Sequence, residues 1–173
     1  TDNSVTRTTV SNIKAAPGVD FKLSPNSGTI LSKATLQASG LPADAALDIY
    51  WVSVKGNRVS PNGWNLVQTN IGNAKTSSTG LLRTDIQIPD DLGGWHNVKI
   101  AQGEKILAEA QYFVEHSIVG VTPSKVKAGE TFKIEIKGIG WTELDNGAAV
   151  TYDNGYIGYV CGFNSQGDVT MFL

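Results

Sequence analysis

The chain has 173 residues and a mass of 18.4 kDa, enough for one or two domains with a buried core and too long to need staples. Hydrophobic residues make up 40% and charged residues 17%, which excludes both a disordered polyelectrolyte and a helical membrane protein. With 14 basic and 16 acidic residues and a net charge of -2, the chain lacks the concentrated cationic surface that nucleic-acid binding requires; the low charge with 19 glycines predicts a soluble, turn-rich β protein.

Residues 1–20 are polar and read as an N-terminal extension or linker ending in Ala15, Ala16, Pro17 and Gly18, with Val5–Val10 as a candidate edge strand. The first residue is Thr1 rather than Met, which fits removal of a signal segment and an excised piece equally well. From Phe21 the pattern changes. Ala34, Leu36 and Ala38 alternate with polar residues, the period-two signature of a half-buried strand, and the same pattern returns 98 residues later at Phe132, Ile134 and Ile136. The punctuation repeats as well. Leu23 shifts to Val121, Pro25 to Pro123 and Gly40 to Gly138, so the interval from proline to glycine is 15 residues in both copies.

The first unit, residues 21–116, continues with Leu47, Ile49 and Trp51 on one face, a turn at Lys55–Arg58 and a loop around Pro61, Asn62 and Gly63. Leu82–Ile88 forms a further strand up to Pro89, and the turn at Leu92–Gly94 opens a strand over Trp95–Ile100. The turn at Gln102–Glu104 returns the chain through Lys105–Val114. This last segment also fits a helical face through Ile106, Leu107, Ala110, Phe113 and Val114, but the short preceding turn and the alternation of Ala108, Ala110, Tyr112 and Val114 favour a hairpin strand. About seven strands in about 95 residues is the arithmetic of an immunoglobulin-like sandwich.

The second unit, residues 117–173, repeats the opening, makes a strand ending at Tyr152, a hairpin turn at Asp153–Gly155 and a strand through Val160. Matching the turn at Thr79–Leu81 to that at Gln166–Asp168 sets Leu173 opposite Ile86, so Lys105–Val114 and the strand before it have no counterpart. The expected fold is therefore all-β, two tandem immunoglobulin-like antiparallel sandwiches with the second incomplete and open at an edge. Two explanations stand: polypeptide continuing beyond Leu173, which is favoured, or a donated strand such as Val5–Val10 of another copy.

The run Val121-Thr122-Pro123, then Ala128-Gly129-Glu130, then Phe132 to Trp141 resembles the opening of an IPT/TIG domain, an immunoglobulin-like fold. Leu23–Gly28 and Leu36–Leu41 echo it. In that family the opening strand ends in glycines followed by an aromatic; Gly138, Gly140 and Trp141 match, whereas Gly40, Leu41 and Pro42 depart. The resemblance implies modules of the kind strung together in bacterial and archaeal surface-layer, adhesin and filament proteins or appended to secreted enzymes, and it carries no catalytic residues.

Chemistry-bearing residues are sparse. Cys161 is the single cysteine, so no intrachain disulfide forms, and it reads as an inert, partly buried strand residue rather than a nucleophile. His96, His116, Cys161 and Met171 are the ligand types of a blue-copper site, but both histidines precede the cysteine, the wrong order for such a site. Zinc is not supported either, and no Gly-rich phosphate cradle precedes a helix. Asp145, Asp153 and Asp168, with Asn146 and Asn154, are weak calcium candidates that read first as turn residues. Trp64, Trp95, Trp141, Tyr156 and Tyr159 are the aromatics available for stacking on sugars; Trp51 and Trp95 read as core, leaving Trp64 and Trp141 as ligand candidates.

The expected function is non-enzymatic and cofactor-free: a building block of a surface layer, filament or envelope complex, located outside the cell, on its surface or in the periplasm. Its partners would be proteins, including copies of itself through open β-edges. The alternatives are a polysaccharide-binding accessory module of a secreted enzyme and an auxiliary subunit of a membrane enzyme complex. No apolar run reaches the ~18 residues that span a bilayer.

Overall fold

The computed structural model describes residues 13–56, 63–141, 146–161 and 166–173. Val5–Val10, residues 57–62 of the expected turn and loop, and Asp145 lie outside the described residues. All regular structure described is β, and no helix among the described residues is long and apolar enough to cross a membrane.

The described residues of the N-terminal part form nine strands. One sheet has the order β2-β4-β7, from β2 (Asp20–Ser24), β4 (Lys33–Ser39) and β7 (Leu82–Gln87). The facing sheet runs β1-β9-β8-β5-β6, from β1 (Lys14–Ala15), β9 (Lys105–Glu115), β8 (Gly94–Gln102), β5 (Ala46–Gly56) and β6 (Trp64–Lys75). The short β3 (Ser27–Thr29) adds to β9 in parallel, while the other pairs are antiparallel. In immunoglobulin lettering the first sheet is A-B-E and the second A′-G-F-C-C′, so the fold is immunoglobulin-like by its connectivity.

Alternation puts one apolar set inward from each sheet. Phe21, Leu23, Ala34, Leu36, Leu82 and Ile86 meet Leu47, Ile49, Trp51, Val98, Ile100, Ala110 and Tyr112 in one continuous core. Tyr112 reaches its hydroxyl to Ser32 Oγ at 3.0 Å, and burial pushes its pKa up. Lys105–Val114 is strand, with Leu107 buried and Ile106 exposed on the opposite face, as hairpin alternation requires.

Two details differ from the sequence expectation. Trp95 is not core. His96, Val98 and Ile100 take the inward positions of β8, so the pleat turns Trp95 outward against the edge of Phe113, 5.2 Å between ring centres. The stretch over Trp64–Lys75 is a strand, hidden in the sequence because it is an edge strand with Leu66 in solvent, and Ile71 and Ala74 are only partly buried against the core.

The described residues of the C-terminal part form five strands: β10 (Ser117–Thr122), β11 (Lys133–Lys137), β12 (Gly147–Tyr152), β13 (Gly155–Cys161) and β14 (Val169–Phe172). They form a β10-β11-β14 sheet and a β12-β13 hairpin. The register repeats that of the first sheet. Leu23 pairs with Leu36, which pairs with Thr84; Val121 pairs with Ile134, which pairs with Met171. Ala34 faces Ile86, and Phe132 exchanges both backbone hydrogen bonds with Leu173 at 2.9 Å. The loops correspond too. The Leu41 N–H donates to the Gly80 carbonyl at 3.2 Å, and the Ile139 N–H donates to the Gly167 carbonyl at 3.0 Å.

The two cores differ in size. Ile134, Ile136, Ile139, Ala148 and Val150 are the buried residues of the smaller one, with Phe132, Val160, Val169, Met171 and Leu173 only partly covered. Because Ile134 sits at the centre of that small cluster, Ile134→Asp would strand an unpaired carboxylate among apolar neighbours at a cost of several kcal/mol. We expect loss of the C-terminal transition in thermal unfolding while the N-terminal transition persists; an unchanged two-part melting profile would contradict this packing.

Candidate functional site

Two features stand out, a junction between the N- and C-terminal sheet pairs and an uncovered inner face on the latter. The junction starts from the loop between β7 and β8. Trp51, buried on β5, donates its indole N–H to Asp91 Oδ2 at 2.7 Å and stacks on His96 with ring centres 4.5 Å apart. His96 sets Nδ1 3.0 Å from the Val52 carbonyl and Nε2 2.7 Å from the Leu92 carbonyl, so the loop is held from beneath by two rings and their polar tips. His96 is thereby an internal brace, and its nitrogens face carbonyl oxygens.

From that platform the chain meets the C-terminal part backbone to backbone. The Gly93 N–H donates to the Ile139 carbonyl at 3.1 Å, and Gly93 forms a bridge with Gly140. The approach needs glycine. A Cβ on Gly93 would lie 1.8 Å from the Gly138 carbonyl oxygen, and one on Gly167 would lie 2.7 Å from the Ile139 oxygen. Lys137 completes the contact, bonding Asp90 across the junction and lying 3.6 Å from Asp168 Oδ1 on its own side.

The hydrogen bond to Asp90, together with the pull of Asp168, holds the Lys137 pKa above the usual lysine value against a smaller opposing effect of desolvation. A raised lysine pKa contributes stability that is fully present below the unfolded value and is lost as pH rises through the folded one. The Lys137 contribution is therefore constant through neutral pH and fades only in alkali above about 10.5.

The structure brings together the two ligand-candidate tryptophans. Trp64, at the start of β6, and Trp141, just after Gly140, are both half-buried, with ring centres 6.0 Å apart and planes inclined by 56°. They pack on each other rather than lying in one plane. Tyr156 and Tyr159 are exposed, and the bulge in the hairpin pairs them with Thr151 and Ala149, which share one face of β12. Among the calcium candidates, Asp153 has φ 46° and Asn154 φ 61°, the conformation of a type I′ hairpin turn between Tyr152 and Gly155. Asp168 is ion-paired with Lys137. Among the described residues no three His, Cys, Asp or Glu side chains are grouped to hold a metal. Cys161 is exposed rather than partly buried, because it pairs with Gly147 on the face of the hairpin opposite buried Ala148 and its partner Val160.

The uncovered face shows most clearly by comparison of equivalent positions. Phe21 and Leu23 on β2 are 2% and 6% exposed; Ile118 and Val121, which pair with Ile136 and Ile134 as Phe21 and Leu23 pair with Ala38 and Leu36, are 55% and 44% exposed. In the N-terminal part β2 packs against β9, and the C-terminal part has no strand in that place among the described residues. Among the described residues β12 likewise pairs only with β13, whereas β5 lies between β6 and β8. Val119 is also displaced by a bulge between Ile118 and Gly120 that the first sheet lacks.

No family model matches the chain, and no curated protein does. Solved structures similar to it include macromomycin, at 12% identity and a TM-score of 0.39, covering 56% of this chain and 99% of that one. An immunoglobulin-like protein from Pseudomonas aeruginosa is similar at 12% identity and a TM-score of 0.34, covering 60% of this chain and 97% of that one. The sporulation control protein Spo0M from Bacillus subtilis is similar at 11% identity and a TM-score of 0.33, covering 68% and 65%.

The junction makes a direct prediction. With spin labels on the exposed Cys161 and on Gln102→Cys in the β8–β9 turn, the distance distribution should be a single narrow peak and should broaden in the Gly93→Val variant. The N-terminal melting transition should stay in place. An equally narrow peak in the variant would show that the backbone contact does not set the arrangement.

Proposed function

We propose that the chain is a non-catalytic structural building block, two IPT/TIG-like immunoglobulin modules in tandem at residues 21–116 and 117–173 after an extension over 1–20, serving in a surface layer, filament or envelope complex. One observation carries the reading: the repeated A-B-E register ends, in the second module, in a Gly-Ile-Gly segment whose backbone docks on the loop of the first. A backbone junction braced by buried aromatics fixes the direction in which one module follows another. That is the property a linear scaffold needs. Flexible tethering would ask nothing of Gly93, Gly138 and Gly167.

The polysaccharide-binding alternative is weaker on the same geometry. Sugar platforms need rings presented flat to solvent, and Trp64 and Trp141 are inclined and half-buried against each other. In the scaffold reading they fill the side of the junction.

A surface scaffold must be reachable from outside. Exposed lysines such as Lys22, Lys33 and Lys75 should react with a membrane-impermeant amine reagent on intact cells of the natural source. Labelling that occurs only after lysis would refute the proposed location; a periplasmic site would show as labelling after outer-membrane permeabilisation alone.

A further inference from the structure

We propose that the outer face of the β2-β4-β7 sheet is a binding site for an acidic oligosaccharide, a chain of sugar rings that carry carboxylates. The inference goes beyond the scaffold reading and involves neither Trp64 nor Trp141. A groove of about 810 Å³ runs over Lys22 on β2, Gln37 on β4 and Arg83 on β7 to Lys75 at the end of β6. Strand register builds its floor. Lys22 pairs with Gln37 and Gln37 with Arg83, so the three side chains stand abreast with the two cations' backbones about 10 Å apart, and Asp20 and Ser39 form the next row on the same face. The end wall is fixed as well. Thr76 Oγ donates to the Pro42 carbonyl at 2.6 Å and accepts the Ala45 N–H at 2.8 Å, and the Asp44 N–H donates to the Ser77 carbonyl at 3.1 Å.

Unpaired polar groups set this surface apart. Lys99, Lys133 and Lys137 each hold a carboxylate partner, whereas Lys22, Lys75 and Arg83 have none among the described residues. On the neighbouring row of the same sheet Thr35 donates to Asp85 at 2.7 Å, but the side chains of Gln37 and Ser39 make no hydrogen bond among the described residues. The ligand class follows from how these groups are spread. Cations strung along an open groove suit an anion repeated along an extended chain; one phosphate would engage one of them and leave the others idle. Asp20 and Asp44 line the same groove, and they repel a bare polyanion yet accept hydrogen bonds from hydroxyls, as the Gln37 carbonyl and Ser39 Oγ also do. A ring that carries a carboxylate and several hydroxyls meets both demands.

The test titrates the full chain with tetragalacturonate and follows backbone amide signals by NMR. Those of Lys22, Gln37, Ser39 and Arg83 should shift and saturate at millimolar ligand. Lys22→Gln and Arg83→Gln should each weaken binding by about tenfold, the loss of one charge-assisted hydrogen bond, and should leave the N-terminal melting transition in place because both side chains are exposed. The fully methyl-esterified tetramer, which keeps the hydroxyls and loses the charge, should bind at least about tenfold more weakly, and so should tripolyphosphate, which keeps charge and has no sugar hydroxyls. Absence of saturable shifts, shifts confined to another face, or affinity retained in both variants would overturn the site. Equal binding of the methyl ester or of tripolyphosphate would overturn the ligand class. None of these readouts depends on where the protein resides or on how one module follows another, so this proposal and the scaffold reading fail separately.

Discussion

The backbone of Ile139 ties the molecule together. Its N–H is spent on the Gly167 carbonyl, closing the loop at the top of the C-terminal A-B-E sheet, and its carbonyl accepts the Gly93 N–H from the N-terminal part. Both bonds require backbones to approach more closely than side chains allow, which is why glycines stand at 93 and 167 beside a fully buried isoleucine. The glycines followed by an aromatic at Gly138–Trp141, visible in the sequence as punctuation, are thus the contact surface. In the N-terminal part the equivalent Leu41 N–H makes the same internal bond to Gly80, but Pro42 stands where the second part has Gly140.

Energetically the two parts are unlike. The N-terminal core is enclosed by two sheets, with Trp51, Leu36, Ile49 and Tyr112 withdrawn from water; at about 25 cal/mol per Å² of apolar surface that burial is the dominant favourable term. The C-terminal core has one complete sheet and a hairpin, so Val169, Met171 and Leu173 remain partly wet. Its scaffold is sound in register and incomplete in cover. The exposed apolar side chains of Ile118 and Val121, paired with Ile136 and Ile134, are the surface expression of this deficit.

Much of this was legible from residue order. Alternation in Ala34–Ala38 and Phe132–Ile136 located the central strands, and the matching of Gly80 with Gly167 placed Leu173 beside Phe132's partner position, where the hydrogen bonds put it. The rest escaped for physical reasons. Edge strand β6 packs Ile71 and Ala74 only partly buried against the core, too little to impose a period, and Trp95 lies on a strand whose inward position beside it is taken by His96, a residue type that sequence reading assigns no direction. The junction was invisible because its contacts are long-range: Lys137 meets Asp90, Gly93 meets Ile139 and Trp64 meets Trp141, pairs that no local pattern couples. Asp153 was readable as a turn residue because its left-handed conformation is a local property.

The central claim is that one scaffold occurs twice, once closed and once open, and native-state hydrogen exchange tests it directly. β4 and β11 are both central strands of A-B-E sheets in the same register, so only the cover on their inner face distinguishes them. The account predicts that amides of Leu36 and Ala38 exchange only through the largest opening of the molecule. Those of Ile134 and Ile136 should exchange through a separate, lower-energy opening with its own denaturant dependence. Identical opening energies for the two strands would contradict it.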